Sequence, residues 1–256
     1  MNIPILFEND NIVIFNKPSG LMVHADGRSD EYTLADYVAE KYPSMINVGE
    51  PLILEKGTPS ETTVQRPGIV HRLDRDTTGA IMVAKTQATF QYLKKQFKKH
   101  KIKKVYRALV HGIIKNDTGL IDAPIGRSKS DFRLRTVQDL HNMDARGTMR
   151  DAITRFKVLE RFNSKWDDKP APISLVEVYP LTGRTHQIRT HFKHIRHALL
   201  GDTLYGSTKA RKGEAFDADR TMLHALSITF HLNETGDMTV SAPLPADFEA
   251  ILAKLR

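Results

Sequence analysis

Residues 68 to 79, Gly68-Ile69-Val70-His71-Arg72-Leu73-Asp74-Arg75-Asp76-Thr77-Thr78-Gly79, put two carboxylates, two guanidiniums and an imidazole directly ahead of an apolar run. A carboxylate kept ionised in such a loop can attack as a nucleophile, stabilise a developing cation or remove a proton. Surface pairing is the plainer alternative, with Asp74 and Asp76 neutralised by Arg72 and Arg75. A second segment, Pro180-Leu181-Thr182-Gly183-Arg184-Thr185-His186-Gln187-Ile188-Arg189-Thr190-His191, uses a Thr-Gly turn to deliver Arg184 at the start of a helix. The polar face of that helix offers Gln187 and His191. His191, His194 and His197 share helical spacing and invite a metal reading. No carboxylate falls between Glu177 and Asp202 and there is no cysteine, so RNA-facing or structural histidines fit better.

Asp74-x-Asp76-x-Thr78 superficially matches the DxDxT of haloacid-dehalogenase-type phosphatases. That motif should end an apolar strand of a parallel sheet, but His71 and Arg72 interrupt the approach and no βαβ pattern surrounds it. The chain has no GxGxxG, GxxxxGK[ST] or HExxH, so nucleotide-dependent and zinc-hydrolase chemistry have no motif behind them.

Composition narrows the classes further. In 256 residues there are 38 Lys+Arg against 30 Asp+Glu, a net charge of +8. Between Thr77 and Asn116 there is no acid and ten bases, so this window carries +10 and the remainder nets −2. Lys94, Lys95, Lys98, Lys99, Lys101, Lys103, Lys104 and Arg107 form its core. Phe90, Leu93 and Phe97 lie at helical spacing beneath the lysines, predicting an amphipathic helix with a basic outer face. Such a face suits a polyanion; without a large apolar face or aromatic anchors, nucleic acid is a better partner than a membrane. Absence of cysteine excludes disulfides, zinc ribbons, iron–sulfur clusters and thiol nucleophiles. No apolar run approaches the roughly 18–20 residues that span a bilayer, and the N-terminus shows no signal peptide. A soluble cytoplasmic protein is expected.

The elements that must position these residues follow from the pattern. Ile12 to Phe15 reads as a buried strand ended by the turn Asn16-Lys17-Pro18-Ser19-Gly20. Thr33 is a good N-cap for a helix ending before Pro43. Residues 44–68 look like a long surface excursion. Gly79 to Ala84, Val105 to Ile114, Ile153 to Leu159 and Ile173 to Pro180 read as strands. Residues 122–150 read as an irregular hairpin or loop. Helices are expected near 185–197, burying Ile188, Phe192 and Ile195, and after Pro245, burying Phe248, Ile251, Leu252 and Leu255. Residues 206–220 are polar and expected to be mobile. Strands outnumber helices without regular alternation, which argues for α+β over a doubly wound sheet. The length suits one large domain or two small lobes.

Taken in order, these segments resemble the RluA family of RNA pseudouridine synthases. The resemblance rests on Asn16-Lys17-Pro18-Ser19-Gly20 with Val23-His24, the segment 68–79, Tyr106-Arg107-Ala108-Leu109-Val110 and the segment 181–191. Gly201-Asp202-Thr203-Leu204-Tyr205-Gly206, Leu223-His224-Ala225 and Ala242-Pro243-Leu244-Pro245 complete it. Where the family often has Ser, this chain has Thr78, which keeps the hydroxyl. Many members carry an N-terminal S4 RNA-binding domain; here the strand before Lys17 begins within a few residues of Met1, so none is expected.

The resemblance implies a mixed, mainly antiparallel central sheet with flanking helices and loops, and a cleft between two halves. It implies one catalytic domain over residues 1–256 that isomerises uridine in ribosomal RNA or tRNA to pseudouridine. In that reaction the N1–C1′ bond breaks, the uracil turns and C5 joins C1′. Asp74 matches the family's catalytic aspartate. Cleavage builds positive charge on the sugar, and an ionised carboxylate can stabilise it, bond to it or take a sugar proton. Arg184 matches the arginine that pairs with that aspartate, an opposite charge that lowers a carboxylate pKa by about 1–3 units. Arginine suits the task because its planar fork binds a carboxylate bidentately.

Tyr106 matches the tyrosine that stacks on the target uracil, an interaction contributing roughly 1–3 kcal/mol per base. The target base must leave its stack, and Arg72 matches the arginine that fills the space. Lys17, His24, His186 and Gln187 are implied to position phosphates or the sugar. No cofactor or metal, no membrane and no obligate protein partner is implied, and a monomer is expected. A non-catalytic RNA-binding protein of the same fold is the alternative.

Overall fold

Two short apolar runs open the chain as an antiparallel hairpin, β1 (Ile5–Glu8) and β2 (Ile12–Lys17). Asn9 closes the turn, its side-chain oxygen accepting the backbone N–H of Asn11 and of Ile12, each at 2.9 Å. These coordinates are a computed structural model, which describes the chain except residues 26, 28–29, 55–56, 59–60, 132, 138–144, 167, 207–215 and 234. Helix α1 (Leu34–Lys41) begins at Thr33 as expected, through a reciprocal cap. The Thr33 hydroxyl accepts the Asp36 N–H, and the Asp36 carboxylate accepts the Thr33 N–H. A 3-10 turn (Pro43–Met45) and a hairpin of β3 (Leu52–Leu54) with β4 (Thr62–Val64) follow. Strand β5 (Thr78–Ala84) is buried throughout, and α2 (Gln87–Lys98) is capped by Thr86.

The chain continues through β6 (Lys103–His111), β7 (Thr118–Asp122), β8 (Ile125–Ser128), β9 (Arg135–Val137) and β10 (Ala145–Arg150). Next come β11 (Ile153–Phe162), the short pair β12 (Lys165–Trp166) and β13 (Lys169–Pro170), and β14 (Ile173–Pro180). Helix α3 (Gln187–His194), β15 (Leu223–Leu232), β16 (Gly236–Ser241) and α4 (Ala246–Leu255) close it. Among the described residues no helix is long and apolar enough to cross a membrane.

The chain divides into two compact units, residues 1–102 with 227–242, and residues 103–226 with 243–256. In the first, β5 pairs antiparallel with β2 from Ile12↔Ala84 to Lys17↔Gly79, so the end of β2 lies beside the start of β5. Its core gathers Ile12, Ile14, Met82, Phe90, Leu93 and Phe230. In the second, β6, β14, β11 and β7 are successive antiparallel neighbours, and β8 pairs on either side with β9 and β10. Its core includes Leu109, Ile173, Leu175 and, from α4, the expected Phe248, Ile251, Leu252 and Leu255.

Several expectations need correction. The excursion 44–68 holds a hairpin, and Met45 is buried. The segment 122–150 contains three paired strands, because Ile125, Val137 and Ala145 give each strand something to bury. Helix α3 starts two residues later than expected, since His186 takes a left-handed backbone (φ 57°) that cannot continue a helix. It ends at His194, and Ile195 is only partly buried. The expected mobility of residues 206–220 falls mostly outside the described residues.

Candidate active site

In the first unit, the loop before β5 is fixed by backbone and side chain together. Gly68 donates its N–H to Val48 and accepts from Ala84 at a positive φ of 67°, where an added Cβ would lie 2.2 Å from the Ala84 oxygen. The His71 ring accepts the Met82 N–H at 2.9 Å and stacks on Phe97 at 4.9 Å, so it serves the loop's anchorage. Asp74 opens a tight turn, its carbonyl accepting the Thr77 N–H at 3.1 Å, and its side chain is half-buried.

Lys17 ends β2 with no exposed surface. Its ammonium donates to the carbonyls of Pro18 (2.8 Å), Leu21 (2.7 Å) and Arg75 (2.8 Å). Buried cations need such partners. The expected phosphate contact is therefore corrected: this cation ties the 16–21 turn to the residue after Asp74. Ser19 adds a bond to the Asp76 carbonyl, and Arg75 adds one to the Gly20 carbonyl.

Local pairing of the aspartates with their arginine neighbours does not form. Arg75 pairs with Glu31 at 2.6 Å, and Arg72 is exposed with no hydrogen bond or ion pair among the described residues. His24 is buried, its Nδ1 2.9 Å from the Ala25 carbonyl.

In the second unit, Tyr106 lies on β6 opposite Val178, 9% exposed, on the same face as Lys104. Arg184 precedes α3. Its Nε donates to the Asp151 carbonyl at 3.0 Å, and its terminal nitrogens make no hydrogen bond among the described residues. Gln187 is buried and saturated. Its oxygen accepts the Thr182 hydroxyl (2.7 Å) and the Arg184 N–H (3.0 Å), while its nitrogen donates to the Ile153 carbonyl and Thr154 hydroxyl. With every donor and acceptor engaged, it positions the Arg184 backbone and cannot also hold substrate, a second correction. The Nδ1 of His186 lies 2.9 Å from the Tyr205 hydroxyl, which also accepts the Arg135 N–H.

Sequence reasoning missed the group that holds this corner. Arg189 and Asp202 form a buried bidentate pair at 2.7 and 2.8 Å, 7% and 0% exposed. Asp202 also accepts the backbone N–H of Leu204 and Tyr205, and the Arg189 guanidinium lies over the Tyr205 ring. Gly201 makes the approach possible, since a Cβ there would lie 2.0 Å from the Arg220 oxygen. Thirteen residues separate the partners, and no sequence spacing announces such a pair.

His191 is wholly buried between the Thr154 hydroxyl (2.9 Å) and the Ala123 carbonyl (3.0 Å), so both ring nitrogens are engaged within the fold. Burial pushes its pKa below the ordinary 6.5. The unfolded chain then binds more protons than the folded one below pH 6.5, so acid destabilises the native state as pH falls from 6.5 toward the folded pKa. Urea midpoints should drop over that window, and His191→Gln should lessen the drop; an equal drop in the variant would assign it to other groups.

The basic strip divides. Lys95, Lys98, Lys99 and Lys101 are exposed in the first unit and Lys103 in the second, none with a partner among the described residues. Lys94 pairs with Glu50, and Arg107 with Glu177 at 2.9 Å, which cancels their charge. Lys104 keeps some exposed surface, but its ammonium lies low, 3.3 Å from the Thr182 carbonyl, and burial pushes its pKa down to about 8. These three differ from the open lysines beside them in having a protein partner or a partly buried ammonium.

Likeness to solved proteins fixes the fold first. Human RNA Pseudouridylate Synthase Domain Containing 1 superposes with a TM-score of 0.72 over 98% of this chain and 87% of its own, at 24% identity. Human RNA Pseudouridylate Synthase Domain Containing 4 gives 0.71 over 98% and 92%, at 22% identity. The α+β fold is thus that of pseudouridine synthases.

Sequence then places the chain within that class. Residues 11–194 match the RNA pseudouridylate synthase family. The chain is 35% identical to "Uncharacterized RNA pseudouridine synthase YlyB" of Bacillus subtilis, spanning all of this chain and 74% of that protein. It is 34% identical to ribosomal large subunit pseudouridine synthase D of Haemophilus ducreyi, spanning all of this chain and 72% of that one. The chain belongs to the RNA pseudouridylate synthase family, in its RluA branch, and is an isomerase of that family.

Proposed function

We propose that this enzyme converts uridine to pseudouridine in ribosomal RNA, tRNA or both, with residues 1–256 as one catalytic domain acting in the cytoplasm. Asp74 is the catalytic carboxylate, Tyr106 the ring that stacks on the target base and Arg184 a cation of the site. Arg72 fills the place of the displaced base.

The observation that carries the reading is the Asp74 turn, whose backbone is gripped through Arg75 and Asp76 by Lys17 and Ser19. A reacting carboxylate must stay put while charge develops beside it, and this loop is built for that. The ribosomal substrate has further support in the relative named for the large subunit. The test is to map pseudouridine across total RNA from cells with and without the gene. Loss of one or more ribosomal or tRNA positions is expected; an unchanged map would sink the proposal and favour the non-catalytic RNA-binding alternative.

A further inference from the structure

A cavity of about 520 Å³ lies wholly within the second unit, lined by Gly126, Arg127, Arg135, Arg150, Gly183 and Arg184 among others. Among the described residues that line it, four are arginines and none is an acid. Arg127 and Arg135 are direct cross-strand partners on β8 and β9, which sets two like charges side by side, and Arg135 also donates Nη1 to the Leu134 carbonyl at 3.1 Å. Arg127 and Arg150 make no hydrogen bond or ion pair among the described residues, and Arg184 commits only its Nε. Asp131, between β8 and β9 in the chain, is already held by Arg133. At Gly147 and Gly183 the wall carries no side chain, which leaves room for a chain to approach the backbone.

We infer that this recess binds consecutive phosphates of the RNA backbone beside the modified uridine. The inference rests on the proposed function. The guanidinium fork matches phosphate geometry, and the volume exceeds what one phosphate needs, as a short run of nucleotides would require.

The experiment compares wild type with the double variant Arg127→Gln/Arg150→Gln, two exposed side chains whose loss orphans no partner. Binding of a labelled large-subunit ribosomal RNA fragment is titrated against potassium chloride. Affinity should fall on the order of tenfold per arginine, and the slope of log affinity against log salt should flatten by about 1.4, two single-strand phosphates' worth. Lys157→Gln/Lys165→Gln, an equal charge change elsewhere on the unit, should leave the slope near wild type.

An unchanged slope in the arginine variant, or equal flattening in the lysine control, would overturn the inference. So would a wild-type recess that binds inorganic triphosphate through these arginines while RNA affinity ignores their loss, since that identifies a free polyphosphate as the ligand. Pseudouridine formation is assayed on the same RNA. Its absence in wild type counts against the enzymatic reading alone, because the binding slope judges the recess either way.

Discussion

Asp74→Asn should abolish pseudouridine formation, by on the order of a thousandfold or more in kcat/KM, while RNA remains bound. The substitution keeps the shape and removes the charge. Cleavage of the N1–C1′ bond leaves positive charge on the sugar, and a neutral carboxamide can neither stabilise it, bond to it nor take a proton from it. Asp74→Glu keeps the charge but moves it by about one bond length, and misplacement on that scale costs roughly a hundredfold. The expected order of activity is therefore wild type, then Glu, then Asn. Release of tritium from uracil C5 follows it directly. An Asn variant turning over at the wild-type rate would remove Asp74 from the chemistry.

Asp202→Ala should destabilise the protein by about 3–5 kcal/mol, because it takes the bidentate carboxylate from the buried Arg189 cation. For a chain of this size that lowers the melting temperature by on the order of ten degrees. The loss should exceed that of removing both charges: Arg189→Met/Asp202→Leu exchanges the pair for apolar volume and should recover part of the stability. Recovery stays incomplete, since the N–H groups of Leu204 and Tyr205 also lose their acceptor. Thermal melts of the single and double variants decide it. A double variant no better than the single one would place the cost in the backbone caps and not in the buried charge.

Much of the fold was legible where one periodicity ruled. Thr33 capped its helix, and α2 buried Phe90 and Leu93 under its lysines. The last helix turned inward the four residues expected of it. β1, β7, β12, β13, β15 and β16 went unread. β1, β7 and β16 are short or half-exposed, so their side chains carry little of the pattern that marks a buried strand. In the candidate site, residue identity was legible and residue role was not. Lys17 and Gln187 stood out from the sequence, yet both turned inward to backbone and side-chain partners. Charge on a residue gives no direction; only the packing around Lys104 or the acid beside Lys94 says whether that charge reaches solvent.

Three bonds of the Lys17 ammonium end on main-chain oxygens, at Pro18, Leu21 and Arg75. Every amino acid supplies that oxygen. Evolution can therefore rewrite the side chains at those three positions while the clamp on the Asp74 turn survives, provided the main chain follows the same path. The lysine itself has no such freedom, because shortening or neutralising it takes the donor from three carbonyls at once, that of Leu21 within a buried bond. An alignment of relatives should accordingly show an invariant lysine facing partners that vary, a pairing that covariation between side chains cannot detect.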